Sequence, residues 1–250
     1  MIRKNEYLEL PIFDVLTNFG FQHFKKHYYF NTNAIFWSLS RLFLYYDRII
    51  SETNKNEPNH YNIAADLESF IIRQRILLND IAYIIWQTLP KNTRNLKTPT
   101  GPAHPQDQEM SIHDLYKSLE KKPTIDIALK KILDKNKKWI FKLKEQREKI
   151  IHYKSQIVIF GTKPLSFAMI NSNGPEKTYI DERGRKKVET LQIINFINNQ
   201  TKYLLKFINT DIKNWLIEYI SNNNIKYDHV LDGQQLHCTG IATYKKINNL

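Results

Sequence analysis

The chain has 250 residues, of which 42% are hydrophobic, and its 37 Lys and Arg residues outnumber its 25 Asp and Glu residues, giving a net charge of +12. The hydrophobic fraction argues against a disordered chain, and 7 glycines are too few for a collagen-like or glycine-rich architecture. The single cysteine, Cys238, excludes a disulfide scaffold within one chain. The length fits one large domain or two small ones.

The positive charge favours an acidic partner, which is a nucleic acid, an anionic membrane or an acidic protein. A composition rich in Lys, Asn and Ile, of the kind that an AT-rich genome encodes, gives the same charge without selection for binding. The polar residues 1–7 lack the apolar core of a signal peptide, and the most apolar stretch, residues 34–46, is too short to cross a bilayer. We therefore expect a cytoplasmic protein that binds no membrane.

Glycine is missing from residues 32–90, 110–155 and 188–224, where apolar residues recur at spacings of three and four. This pattern predicts helices over residues 35–49 and 63–89, the second ended by Pro90. Prolines in residues 91–109 predict a loop. A short helix is expected after Ser111. A long helix, capped by Thr124, follows to about residue 151, with residues 134–136 as a candidate position for a kink.

After residue 155 the spacing of the apolar residues changes from that of a helix to that of a strand. Residues 156–160 and 165–170 are predicted strands, with turns at 171–174 and 181–184. A last helix is predicted from about residue 188 to 220, and a further strand around Ile241. The fold class is therefore mainly α, a helical bundle with a small antiparallel β-meander inserted before the last long helix. We divide the chain into an N-terminal arm or extra element (1–31), a helical domain (32–222, with a long loop at 91–109 and the β insertion at 156–187) and a tail (223–250).

Several common chemistries have no motif in this chain. It contains neither a Gly-x-Gly-x-x-Gly fingerprint nor a Walker sequence for binding nucleotide phosphates. His23 and His27 have the spacing of a helical metal pair but lack a third ligand nearby. The side chains of His237 and Cys238 would point apart in a strand. We therefore expect no metal and no cofactor.

The strongest local feature is a basic segment around an Arg and a His. Residues 130–154 hold ten Lys and Arg residues against three acids, a local charge of +7. This segment contains Arg147 and His152, separated by four residues. A basic helix face next to a His is what binding to a phosphate backbone needs, although a solvated helix face has the same composition.

The helical positions of these two residues differ. Arg147 lies on the apolar stripe, four residues after Leu143 and four before Ile151, whereas His152 is about 140° away around the helix axis. A straight helix would not readily direct both side chains at one phosphate. We therefore expect either that the helix unwinds near His152 or that two chains contribute residues to a shared cleft.

These residue types suit the cleavage of RNA by its own 2′-OH. A His acts as general acid or base near neutral pH, and an Arg stabilises a charged phosphorane. Arg147 and His152 are the candidates for these two roles, and Glu148, one turn before His152, either orients the His ring or pairs with it. The neighbouring side chains predicted to contact RNA are Lys144, Lys149, Tyr153 and Lys154.

The segment Arg147-Glu-Lys-Ile-Ile-His152 at the end of a long helix resembles the HEPN superfamily (higher eukaryote and prokaryote nucleotide-binding domains), whose hallmark is an Arg followed after four to six residues by a His. Residues 66–80 look like the partner helix of such domains, and the resemblance covers about residues 32–222. It implies a metal-independent endoribonuclease that acts as a homodimer with paired motifs at its interface. It also implies a toxin or phage-defence effector kept silent by an antitoxin or other regulatory protein.

One residue departs from the superfamily pattern. The residue after the motif Arg is commonly Asn, Asp or His, and here it is Glu148. A longer acid still reaches His152, but it adds negative charge near a phosphate. Some members bind RNA or proteins without cleaving, so the alternative function is a non-catalytic RNA- or protein-binding module of the same fold.

Overall fold

The computed structural model describes residues 7–8, 27–90, 110–152, 156–223 apart from 162, 172 and 176, and 236–237. Over these residues the protein is mainly helical, with a small antiparallel sheet before the last helix, as the sequence predicts. None of the helices in this part of the chain combines the length and the apolar character needed to cross a bilayer.

Four helices precede the sheet. They are α1 (His27–Asn54), α2 (His60–Thr88), α3 (Ile112–Lys121) and α4 (Ile127–His152), with a 3-10 turn at Pro123–Ile125 before α4. Asn59 caps α2 by accepting from the backbone N–H groups of Tyr61 and Asn62, and Ser111 caps α3 by accepting from that of Asp114. The four helices predicted before the sheet are confirmed.

Two details of α4 differ from the prediction. Thr124 lies inside the 3-10 turn, and the cap is instead Asp126, whose Oδ1 accepts from the backbone N–H of Leu129 at 2.7 Å. The helix also continues without interruption through residues 134–136. Pro123 explains the first difference, because a proline fixes the backbone of the short turn and delays the first regular helical turn.

The sheet follows α4 directly. Strands β2 (Gln156–Phe160) and β3 (Ser166–Asn171) form an antiparallel hairpin, and β3 also pairs with β4 (Gly174–Pro175) and β7 (Leu191–Gln192). A separate hairpin consists of β5 (Thr178–Ile180) and β6 (Lys186–Val188). Gly174 and Gly184 have φ angles of 101° and 73°, which explains why glycine occupies these two predicted turns. A short pair, β1 (Tyr7–Leu8) with β8 (Leu236–His237), joins the regions assigned to the arm and the tail.

The last helix begins later than predicted. Residues 186–188 form β6 and residues 191–192 form β7, and α5 runs over Ile193–Lys206. It passes through a π-helical segment, Phe207–Ile212, into α6 (Lys213–Asn222). The apolar pattern misplaced the start because Val188 and Leu191 belong to strands whose side chains continue the helical spacing. The predicted loop at 91–109, the strand around Ile241, and Cys238 lie outside the described residues.

The core is centred on α2, which packs against α1, α3, α4 and β2. It buries residues around most of its circumference, including Phe70, Ile71, Leu77 and Leu78. Polar contacts join it to its neighbours. Arg48 of α1 forms an ion pair with the buried Asp66 at 3.0 Å. Glu68 accepts from the backbone N–H of Ile157 at 3.2 Å and so fixes the start of β2.

Three contacts fix α4 against α5, the π-helical segment and α6. Trp139 Nε1 donates to Gln200 Oε1 at 2.7 Å, and Trp215 Nε1 donates to Asp126 Oδ2 at 2.8 Å. Asp211, in the π-helical segment, is largely buried and pairs with Lys135 at 3.0 Å. These contacts fix the rotation of the first half of α4, and because the helix continues without interruption, they also set the orientation of the Arg–His segment at its end.

Asp47 of α1 provides a test of this packing. Burial raises the pKa of its carboxyl from 3.8 to about 6. The folded protein therefore holds this proton more tightly than the unfolded chain, and stability falls as pH rises between these two values. Asp47→Asn is expected to raise the melting temperature at pH 8 and to have little effect at pH 3.5, as measured by thermal denaturation. The control is Glu57→Gln at an exposed position of the loop before α2, and an equal gain at both pH values would contradict the prediction.

Candidate functional site

The end of α4 brings Arg147 and His152 together. The helix remains regular through His152, and Arg147 Nη1 lies 3.3 Å from His152 Nε2 within the same chain. Of the two expected arrangements, an unwound helix is not seen up to His152. The cleft shared by two chains stays a prediction. A helical side chain leans towards the N-terminus of its helix, so His152 leans back over the preceding turn, and the long Arg147 side chain reaches around to it.

The contact has a defined donor and acceptor. A guanidinium has only N–H donors, so Arg147 donates and Nε2 of His152 accepts, which requires the imidazole tautomer with its hydrogen on Nδ1. Because His152 is exposed and Arg147 is half-buried, the pair lies where a ligand can reach it at the helix terminus.

The other predicted site residues have different surroundings. Glu148 forms an ion pair with Lys144 at 3.5 Å, one turn earlier on α4. Lys149 pairs with Glu145 at 2.7 Å. Tyr153 and Lys154 lie outside the described residues. The structure therefore joins Arg147 to His152 and Glu148 to Lys144.

A buried arginine that the sequence reasoning missed lies close to this segment. Arg75 of α2 is only 6% exposed, and its Nη1 has no hydrogen-bond partner. Burial lowers the pKa of its guanidinium to about 10, Glu148 opposes this shift, and Arg147 adds to it. The signal in the sequence is an Arg four residues after Ile71 and three before Leu78, on a stripe that is otherwise apolar.

A second missed residue is His113 of α3. Its ring packs edge-on against Phe141 with a centroid distance of 4.8 Å, and its Nδ1 has no hydrogen-bond partner. Burial lowers the pKa of its imidazole, and the positive charges of Lys144 and Lys117 lower it further. His113 therefore stays neutral beside the cations of α4, and together with Arg75 it lines the inner side of the helix that carries the predicted motif.

Ion pairs neutralise part of the charge of α4. Besides the pairs of Lys144 and Lys149, Lys130 pairs with Asp134, Lys135 with Asp211, and Lys137 with Glu120. Asp211 and Glu120 lie in other elements, so the net charge of +7 counted from residues 130–154 does not include them. The local positive charge is consequently smaller than the sequence indicates and is concentrated on fewer side chains.

The described residues contain no cluster of three or more His, Cys, Asp or Glu side chains that could hold a metal ion. Comparisons of the chain with protein-family models, with curated proteins and with solved structures found no match.

Arg75 allows a direct test of the electrostatics. Replacing a buried charge by an apolar side chain of similar length removes its desolvation cost, and such replacements are often neutral or stabilising. Arg75→Met is expected to leave the free energy of unfolding unchanged or to raise it, by up to about 4 kcal/mol. Urea denaturation measures this, with Arg41→Met at an exposed position of α1 as the control. A clear loss of stability specific to Arg75→Met would show that the guanidinium has a stabilising role.

Proposed function

We propose that the protein is a metal-independent endoribonuclease of the HEPN type that acts as a homodimer. The observation that carries this proposal is the 3.3 Å contact between Arg147 and His152 at the exposed end of a basic helix. It places a proton acceptor beside a group that binds phosphate, which are the two functions that cleavage by the 2′-OH requires.

Substrate replaces the contact between the two side chains. The guanidinium of Arg147 turns its N–H groups to the non-bridging oxygens of the scissile phosphate. Nε2 of His152 is then free to accept the proton of the 2′-OH. The 2′-oxygen forms a bond to phosphorus, the bond from phosphorus to the 5′-oxygen breaks, and the products are a 2′,3′-cyclic phosphate and a 5′-hydroxyl. His152 of the partner subunit, in its imidazolium form, donates a proton to the leaving 5′-oxygen and becomes neutral, while the first His152 keeps the proton of the 2′-OH.

Neighbouring charges support the binding of a phosphate. Arg75 holds a buried positive charge next to Arg147, and its field favours an anion at the helix terminus. The ion pair of Glu148 with Lys144 keeps this acid engaged one turn away from His152, which reduces its repulsion of the substrate. Lys149 lies between these two residues in sequence, and its ion pair with Glu145 at 2.7 Å leaves Arg147 and Arg75 as the cations that act on the phosphate.

The biological role proposed with this activity is that of a toxin or phage-defence effector. Its support is the resemblance of residues 32–222 to the HEPN superfamily, in which such ribonucleases act on RNA under the control of a partner. An antitoxin or other regulatory protein would then cover the end of α4.

The first test is cleavage of total RNA in EDTA. His152→Ala and Arg147→Ala are each expected to slow cleavage by about 10²- to 10⁴-fold, because each removes a group that acts in the transition state. Arg147→Lys is expected to recover only part of the activity, because it keeps the charge and loses the paired donors.

The controls are His60→Ala and Arg41→Ala at exposed positions of α2 and α1. Equal cleavage by wild type and by both motif variants would disprove the ribonuclease. Binding of RNA without products, unchanged in His152→Ala, would instead identify the non-catalytic binding module.

The second test concerns assembly. Light scattering after gel filtration is expected to give a mass of twice 29.8 kDa for the purified chain. Since paired motifs require two chains, dilution below the dimer dissociation constant is expected to lower the specific activity. A monomer with full activity would contradict the shared cleft.

A further inference from the structure

A groove with a basic rim runs between α4 and the sheet. It has a volume of about 910 Å³. Its apolar floor consists of Phe141 of α4, Ala168 and Met169 of β3, and Leu191 of β7. The rim carries the lysines Lys137, Lys138, Lys142, Lys149 and Lys177 and the acids Asp134, Glu145 and Glu189. Each of these acids forms an ion pair with a lysine, Asp134 with Lys130, Glu145 with Lys149 and Glu189 with Lys177.

The charge of this rim is available to a ligand at two positions. Lys138 and Lys142 are exposed and lie one helical turn apart. Within the described part of the chain, neither of them forms an ion pair within 4.0 Å, whereas Lys149 pairs with Glu145. The groove thus combines an apolar floor with two adjacent cations. That combination suits a molecule with flat apolar groups joined by anionic groups, which describes the bases and phosphates of a nucleic acid.

The groove leads to the proposed catalytic residues. Residues 138, 142, 145, 149 and 152 follow one another at spacings of four and three, so they lie on one face of α4. His152 is therefore the next residue on this face after Lys149, at a rise of about 4.5 Å along the helix axis. A ligand held by Lys138 and Lys142 is aligned with the exposed imidazole at the helix end.

We propose that this groove binds the single-stranded RNA segment that flanks the scissile phosphate. The inference rests on the proposed ribonuclease function and names the form of its substrate. The volume is near the upper end of the range of about 300–1,000 Å³ for ligand pockets, which accommodates a short single strand. A duplex buries its bases within the helix and is recognised on open surfaces through its minor groove and backbone, so it cannot place bases on this floor.

Binding is measured by fluorescence anisotropy with a labelled 12-residue oligouridylate in EDTA, in a His152→Ala background so that the probe stays intact. The variant is Lys138→Gln with Lys142→Gln, which removes both charges and keeps the length of the side chains. The dissociation constant is expected to rise about tenfold at 0.1 M salt. The slope of log affinity against log salt is expected to fall by about 1.4, since each single-strand phosphate contact contributes about 0.7.

The matched control is Lys202→Gln with Lys206→Gln. These residues are exposed, have the same spacing on α5, and do not line the groove. Their double variant is expected to bind the oligouridylate with unchanged affinity. With His152 intact, the Lys138 and Lys142 double variant is expected to raise KM for the oligouridylate and to leave kcat within about twofold of wild type, because the groove acts in binding.

The outcomes separate this inference from the ribonuclease itself. Equal affinity in the two double variants would overturn the groove even if wild type cleaves RNA. Equal binding of an RNA duplex of the same length, or displacement of the probe by polyglutamate of matched charge, would also overturn it, the second result identifying a site for an acidic protein. Weaker binding specific to the Lys138 and Lys142 variant, in a protein that never cleaves, would support the groove and refute the ribonuclease.

Discussion

Burial of α2 on most of its sides is the constraint on which the rest of the structure depends. A helix that is apolar around most of its circumference must be covered by several partners, and here α1, α3, α4 and β2 cover it. Each partner then has to turn its own apolar side inwards. For α4 this means that Leu133, Ile140 and Leu143 are buried, and its lysines are left at the edges and on the outer face. The positions of the α4 lysines thus follow from the packing of the apolar side of this helix against α2.

The same packing determines which charges remain effective. The sequence shows how many lysines α4 carries, but ion pairs with Asp211 and Glu120 depend on elements brought beside it by folding. These pairs withdraw Lys135 and Lys137 from interaction with a ligand. The positive charges that remain include Arg75 inside, Arg147 at the terminus, and Lys138 and Lys142 along the groove. The lysines are numerous along the whole of α4, but the charges that can act on a ligand are concentrated at a few positions.

The helices, the hairpin of β2 and β3, and the glycine turns at 171–174 and 181–184 were predictable, because each leaves a local period or a local backbone requirement in the sequence. The site was only partly predictable. Residue type and position in the helix singled out Arg147 and His152. Their contact was not predicted, because the angle between two residues around a helix axis gives the direction of each Cα–Cβ bond and does not include the length of the Arg side chain. The position of Arg75 near the motif was missed because it depends on how α2 packs against α4. The groove was missed because it forms only where the sheet packs against α4. Contacts between elements distant in sequence have no periodic signature within either element.

The π-helical segment at Phe207–Ile212 shows how a helix can keep one side against a curved surface. Buried residues recur there every four positions, at Leu204, Ile208, Ile212, Leu216 and Ile220. In a regular α-helix each such step advances by about 40°, so this stripe would wind about 160° around the axis. A π turn accommodates one extra residue and reverses about 100° of that drift. The segment is therefore a phase correction. Because of this correction, Asp211 faces α4 while Leu216, one residue after Trp215, still faces the core. A change in the number of residues in this segment would rotate every later buried side chain about the helix axis.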